Sequence, residues 1–136
     1  MDAAAIILEF ADHLLAGLSA LRANSMGVGR AAMGQPLTFE TADGERTRLL
    51  DLPGGGVAAL HGRGCSIRFS SGAEVDFDWD PEHREVFDAW RVLQFANSIG
   101  QSDVSQDDVV NAMRSDSRYV ETEAGWFALS VLFGTD

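Results

Sequence analysis

Residues 73–83 read AEVDFDWDPEH. Glu74, Asp76, Asp78 and Asp80 alternate there with Val75, Phe77 and Trp79. Successive side chains of a strand point to opposite faces, so the stretch predicts a strand with one acidic and one buried face. The run just before it alternates too, with Cys65, Ile67 and Phe69 on one face. Directly opposed residues of an antiparallel pair point the same way. The two apolar sets meet if Phe69 faces Val75 and Ile67 faces Phe77. That register sets Arg68 opposite Asp76 and Ser66 opposite Asp78, and leaves Ser71, Gly72 and Ala73 as the loop. A one-residue slip would turn every apolar side chain to solvent. The strand over 73–80 is expected at or near the edge of its sheet.

Working outward, Asp80 fits a helix N-cap, Pro81 the first helical position and Glu82 the first turn, where backbone N–H groups favour negative charge. The helix predicted from there carries Val86, Phe87, Trp90 and Leu93 on its inner stripe, with Ala96 or Asn97 continuing it. Residues 3–23 predict an amphipathic helix, because Ile7, Phe10, Ala11, Leu14, Leu18 and Leu21 recur at helical spacing. The glycines and Pro36 of NSMGVGRAAMGQP end it. LTFET and RTRLLDL are candidate strands joined at Asp43-Gly44, a hairpin signal. PGGG over 53–56 is a turn, and VAALH and CSIRFS are strands separated by the glycines of HGRG. Ser105, with Asp108 three residues on, caps a helix over SQDDVVNAMRSD. RYVET and WFALSVLF close as a hairpin. The fold class is α+β: an antiparallel sheet of five to seven strands, with an N-terminal helix and two further helices packed mainly on one side.

The 136 residues amount to one domain. A hydrophobic fraction of 46% is enough for a core without staples. The single cysteine, Cys65, excludes an intramolecular disulfide and suits a reducing compartment. MDAAAIILEFADHLL lacks a basic leader region, so it does not read as a signal peptide. No apolar run approaches the ~18 residues a membrane span needs. A cytoplasmic protein without a membrane partner is expected. The net charge is −11 and every Lys/Arg-type cation is arginine. Phosphate contacts need a basic footprint, so nucleic acid is not an expected partner. An acidic surface favours encounter with a basic protein.

His61, Cys65, Asp76, Asp78 and His83 are metal-ligating types, but their spacing matches no zinc pattern, and the register turns Cys65 and Asp76 to opposite faces. Counted from Asp76 as an EF-hand loop, position six is Pro81 and position twelve is Phe87, where calcium needs glycine and glutamate. Cys65 lies mid-strand in an apolar alternation, where cysteine acts as a small hydrophobe. There is no G-x-S-x-G elbow, and the glycine clusters lack the Lys-Ser/Thr of a phosphate loop. Neither a metal, nor another cofactor, nor a catalytic residue is expected.

His61-Gly62-x-Gly64-Cys65, Asp76-Phe77-Asp78 and Phe87-Asp88-x-Trp90-Arg91 follow one another over about a quarter of the chain. In that order they resemble a small bacterial domain family of uncharacterised biochemistry. That family resembles, in gene setting and size, the immunity proteins of polymorphic and contact-dependent toxin systems. The resemblance implies a non-enzymatic inhibitor of a cognate toxin, a basic nuclease-like one on charge grounds. Physical chemistry gives the motif structural roles: glycines for a tight turn, Cys65 under the sheet, Asp80 as a cap, and Phe87 and Trp90 over the sheet. The expected docking acids are Asp78, Glu82, Glu85 and Asp88, with Asp103, Asp107, Asp108, Glu121 and Glu123 as a second group. The alternative is a small enzyme or ligand-binding protein with a pocket near His61, Asp78 and Trp90.

Overall fold

The computed structural model describes residues 1–25, 47–52, 55–61, 64–82 and 84–132. The expected strand over 37–41, the Asp43-Gly44 hairpin, Gly62 and His83 lie outside them, as does the His61 side chain. The order is α1 (Ala3–Ser25), β1 (Thr47–Asp51), β2 (Gly56–His61), β3 (Gly64–Phe69), β4 (Glu74–Trp79), β5 (Glu85–Asp88), α2 (Ala89–Ser98), α3 (Gln106–Arg114), β6 (Tyr119–Glu123) and β7 (Trp126–Leu129). The strands form one sheet in the order β1-β2-β3-β4-β5-β7-β6, antiparallel throughout. The fold is α+β.

The core lies on one face of this sheet. Leu50, Leu52, Ala58, Leu60, Cys65, Ile67, Val75 and Phe77 are buried there, as are all six stripe residues of α1. Phe10 of α1 meets Phe87 edge-on at 4.8 Å and Phe95 of α2 at 5.6 Å. The Tyr119 hydroxyl of β6 donates to the backbone oxygen of Ile7, 112 residues away in sequence. Burial pushes that phenol's pKa up. The helix over 3–21 is long and apolar enough to cross a membrane by length and composition. The expectation that no run approaches that length is corrected, because alanines and glycine extend the apolar stretch between its few charges. In this fold the inner side of that helix is packed against the sheet.

Cys65 faces the core as expected, and burial, then the nearby Asp76 charge, push its thiol up to about 12. Such a thiol stays protonated and inert. The β3–β4 register differs from the expected one by two residues. Cys65 faces Phe77, Ser66 faces Asp76, Ile67 faces Val75 and Arg68 faces Glu74. A two-residue shift keeps every side chain on its own face, so alternation cannot detect it. The turn decides it. Phe69 N–H donates to Ala73 O, Gly72 N–H donates to Phe69 O, and Gly72 takes a φ of 97°. The loop is therefore Ser70-Ser71-Gly72, with glycine at the left-handed position that tolerates it. Strand β4 is the fourth of seven, not an edge. It tolerates its acids because, among the described residues, the helices cover only the other face of the sheet.

The helix expected from Asp80 starts eight residues later. Asp80 accepts from the backbone N–H groups of Glu82 and Arg84 and from the Arg84 guanidinium, closing a turn instead. The chain then runs as β5, with Phe87 fully buried in the strand. Asp88 is the true cap of α2, accepting from Arg91 N at 3.0 Å. The inner stripe accordingly shifts to Ala89, Val92, Phe95 and Ala96, and Trp90 is left 54% exposed. Helix α3 is capped by Ser105 as its sequence predicts.

Candidate functional site

The face of the sheet opposite the helices carries the polar half of each alternation. On β4 it presents Glu74, Asp76 and Asp78, all half-buried. Beside them on β3 lie Ser66 and Arg68, and beyond on β2 and β1 lie Ala59, Val57, Leu49 and Asp51. Leu49 is 69% exposed and Val57 40%. So β1 and β2 offer apolar area one strand removed from a column of three carboxylates on β4.

Two of those carboxylates already hold an arginine. Arg68 donates twice to Glu74, at 2.7 and 3.0 Å, rather than to Asp76 as the expected register implied. Arg91, from the first turn of α2, contacts Asp78 and Asp88 at 3.1 Å each, with its guanidinium carbon 5.1 Å from the centre of the Trp126 ring. Ion pairs this sheltered are screened less by water than surface pairs. The remaining member, Asp76, has no cationic partner among the described residues.

This junction gathers the three separate motif segments. Gly64 lies across from Asp78 in the register. A Cβ built on Gly64 would lie 2.1 Å from the Phe77 backbone oxygen and 3.0 Å from an Asp78 carboxylate oxygen. Only glycine permits this approach. Asp78, Asp88 and Arg91 then meet around one guanidinium. The segments HGRGC, DFD and FDxWR are thus joined by a structural clamp. Sequence reasoning quoted Arg91 in the motif without giving it a role, and missed Trp126; an arginine three residues after a capping aspartate was the available signal for the former.

The family model of a domain of unknown function, DUF6896, matches residues 3–124. The chain belongs to the DUF6896 family. No curated protein and no solved structure matches it. The DUF6896 match spans α1 to the β6–β7 turn, so Gly64, Asp78, Asp88 and Arg91 of the clamp and the β1–β4 part of the uncovered face lie within it, and Trp126 lies just beyond.

The other expected site residues are dispersed. Glu85 is 6% exposed and accepts from the Trp79 indole at 3.3 Å, which removes it from the solvent-facing acids. It sits on the covered face because β5 replaces the expected helix. Glu82 is exposed and paired with Arg84; Asp103, Asp107, Asp108 and Glu123 are exposed at α3, the segment before it and β6. Asp78, Trp90 and the backbone of His61 do not line the pocket found on this face, which lies farther along β2 and β3. Among the described residues no group of three or more His, Cys, Asp and Glu is placed to hold a metal.

Glu121 is held by two 2.9 Å bonds from Arg114. Those bonds, then the Gly125 N–H, bring its pKa down to about 2. A lowered folded-state pKa stabilises the fold above the unfolded value, about 4.3 for glutamate, and the benefit fades as pH falls toward the folded value. Thermal unfolding followed from pH 6 to pH 2 should show wild type losing stability relative to Glu121→Gln as acid is added. Parallel curves would mean that the pair contributes nothing.

Trp90→Ala should leave the melting temperature within about 2 °C of wild type, since solvent-facing substitutions rarely exceed about 0.5 kcal/mol. A large fall would return Trp90 to the core.

Proposed function

We propose that this domain is a non-enzymatic binding protein of the cytoplasm, an immunity protein that neutralises a basic toxin domain by covering it with the uncovered sheet face. The observation that carries the reading is the pairing on that face of exposed Leu49 and Val57 with the Glu74, Asp76 and Asp78 column. Interfaces use an apolar centre for affinity and complementary charge for orientation and rate. The exposed acids Glu82, Asp103, Asp107, Asp108 and Glu123 add a long-range field that draws a cationic partner in. The net charge of −11 favours the same sign of partner. The motif resemblance supplies the toxin setting, and the packed α1 is consistent with a water-soluble location.

The test is growth of cells expressing the reading frame next to this gene, with and without this protein. Restored growth and a stable complex of the two proteins support the proposal. A neighbouring product that is harmless alone, or toxic and unaffected, overturns it.

A further inference from the structure

On the uncovered face, Val57, Ala59, Ser66, Ile67, Arg68 and Glu74 line a pocket of about 340 Å³. Its lining is divided by chemistry. Val57 and Ala59 of β2 form an apolar wall, while Arg68 and Glu74 close one side with their ion pair. Glu74 is the lining residue contributed by β4; Ser66, on β3, has Asp76 as its direct partner across the strands, so Asp76 stands just beyond the lining. Ala59, Ser66 and Asp76 therefore lie side by side on three neighbouring strands, spanning about 9–10 Å. Serine is the smallest side chain of the three polar residues there, and it stands between the apolar wall and the carboxylate.

Asp76 stands between two acids that each hold an arginine, Glu74 with Arg68 and Asp78 with Arg91. Its position repeats theirs, without the cation. The geometry points to this pocket, with the Asp76 carboxylate at its margin, as a receptor for one arginine side chain of a basic partner protein: the methylene stem lies in the pocket along Val57 and Ala59, and the guanidinium reaches past Ser66 to the Asp76 carboxylate. Arginine suits the place better than lysine. Its planar fork bonds a carboxylate through two donors, and its weaker hydration lowers the cost of entering a half-buried groove. The inference takes from the proposed function only that the partner is a basic protein; the pocket chemistry stands without the toxin assignment.

The probe is Nα-acetyl-arginine amide, titrated into the ¹⁵N-labelled full chain, with the lysine and glutamine analogues alongside. Amide shifts centred on Ala59, Ser66 and Asp76 are expected, strongest with arginine. Asp76→Asn, which keeps size and removes charge, should weaken the arginine titration by about fivefold or more, with the rest of the amide spectrum unchanged. Asp107→Asn, on exposed α3, should not weaken it. Equal weakening by both variants, or shifts spread evenly over all surface acids, would reduce the effect to general charge attraction and overturn the inference. Equal response to the glutamine analogue would overturn it as well. Toxin rescue without an arginine response at Asp76 removes the pocket and keeps the inhibitor; the converse keeps the pocket and removes the inhibitor.

Discussion

Phe10→Ala is expected to remove about 3–5 kcal/mol of stability, the range for truncating a fully buried aromatic. The Phe10 ring is completely inaccessible, and it touches Phe87 of β5 and Phe95 of α2 at once. It thereby joins the N-terminal helix, the sheet and the second helix at one point. Neighbours on two separate elements cannot both relax into the space left behind, so a cavity term adds to the lost burial. For a chain of this size the melting temperature should fall by roughly 10–20 °C. Leu8→Ala on the same helix is the control. Leu8 is 41% exposed, and its truncation should stay within about 1 kcal/mol. Equal losses from the two variants in thermal unfolding would show that α1 does not present this side to the sheet.

Gly64→Ala should cost about 3 kcal/mol or more, the upper range for forced overpacking. The added methyl would lie 2.1 Å from the Phe77 backbone oxygen and 2.7 Å from the Asp78 Cα. Both are backbone atoms of a strand in mid-sheet, so neither moves without disturbing β3–β4 and β4–β5 pairing together. Asp78 would move with them and loosen its grip on Arg91. Thermal unfolding should show a fall of roughly 10 °C. A near-silent substitution would mean that β3 and β4 do not approach as closely as described.

Much of this architecture is legible in the sequence because single-face patterns carry it. The α1 stripe, the Ser105 cap, the inward Cys65 and the alternation of β4 each follow from local periodicity. What alternation leaves undetermined is pairing offset by an even number of residues, and the β3–β4 register was missed by that amount. Asp80-Pro81-Glu82 misleads for another reason. An aspartate accepting two backbone N–H groups makes the same bonds whether a helix or a tight turn follows, and Val86 and Phe87 fit either period. Trp90 then moves from the stripe to solvent, because a helix that starts at Ala89 takes its phase from the strand before it. The central position of β4 is a property of strand order, to which composition is blind. For the candidate site, the acidic face was legible residue by residue. Which of its acids already had an arginine was not, since Arg91 reaches Asp78 from thirteen residues away.

The bond between Tyr119 and Ile7 has a consequence for synthesis on the ribosome. Strands β1 to β5 pair with their sequence neighbours and can zip up as they emerge. Among the described residues, the apolar side of α1 has no such local partner. It leaves the ribosome 112 residues ahead of the tyrosine that fastens it. At roughly 5–20 residues per second, translation alone holds that interval open for about 6–22 s. The partners of α1 arrive one after another, Phe87 and Phe95 before Tyr119, and until the last is in place a greasy helix competes for chaperones and for the machinery that captures membrane-bound nascent chains. Folding of this domain is therefore timed by its last strands, and shortening the chain before Tyr119 should turn a packed helix into a degradation or mistargeting signal.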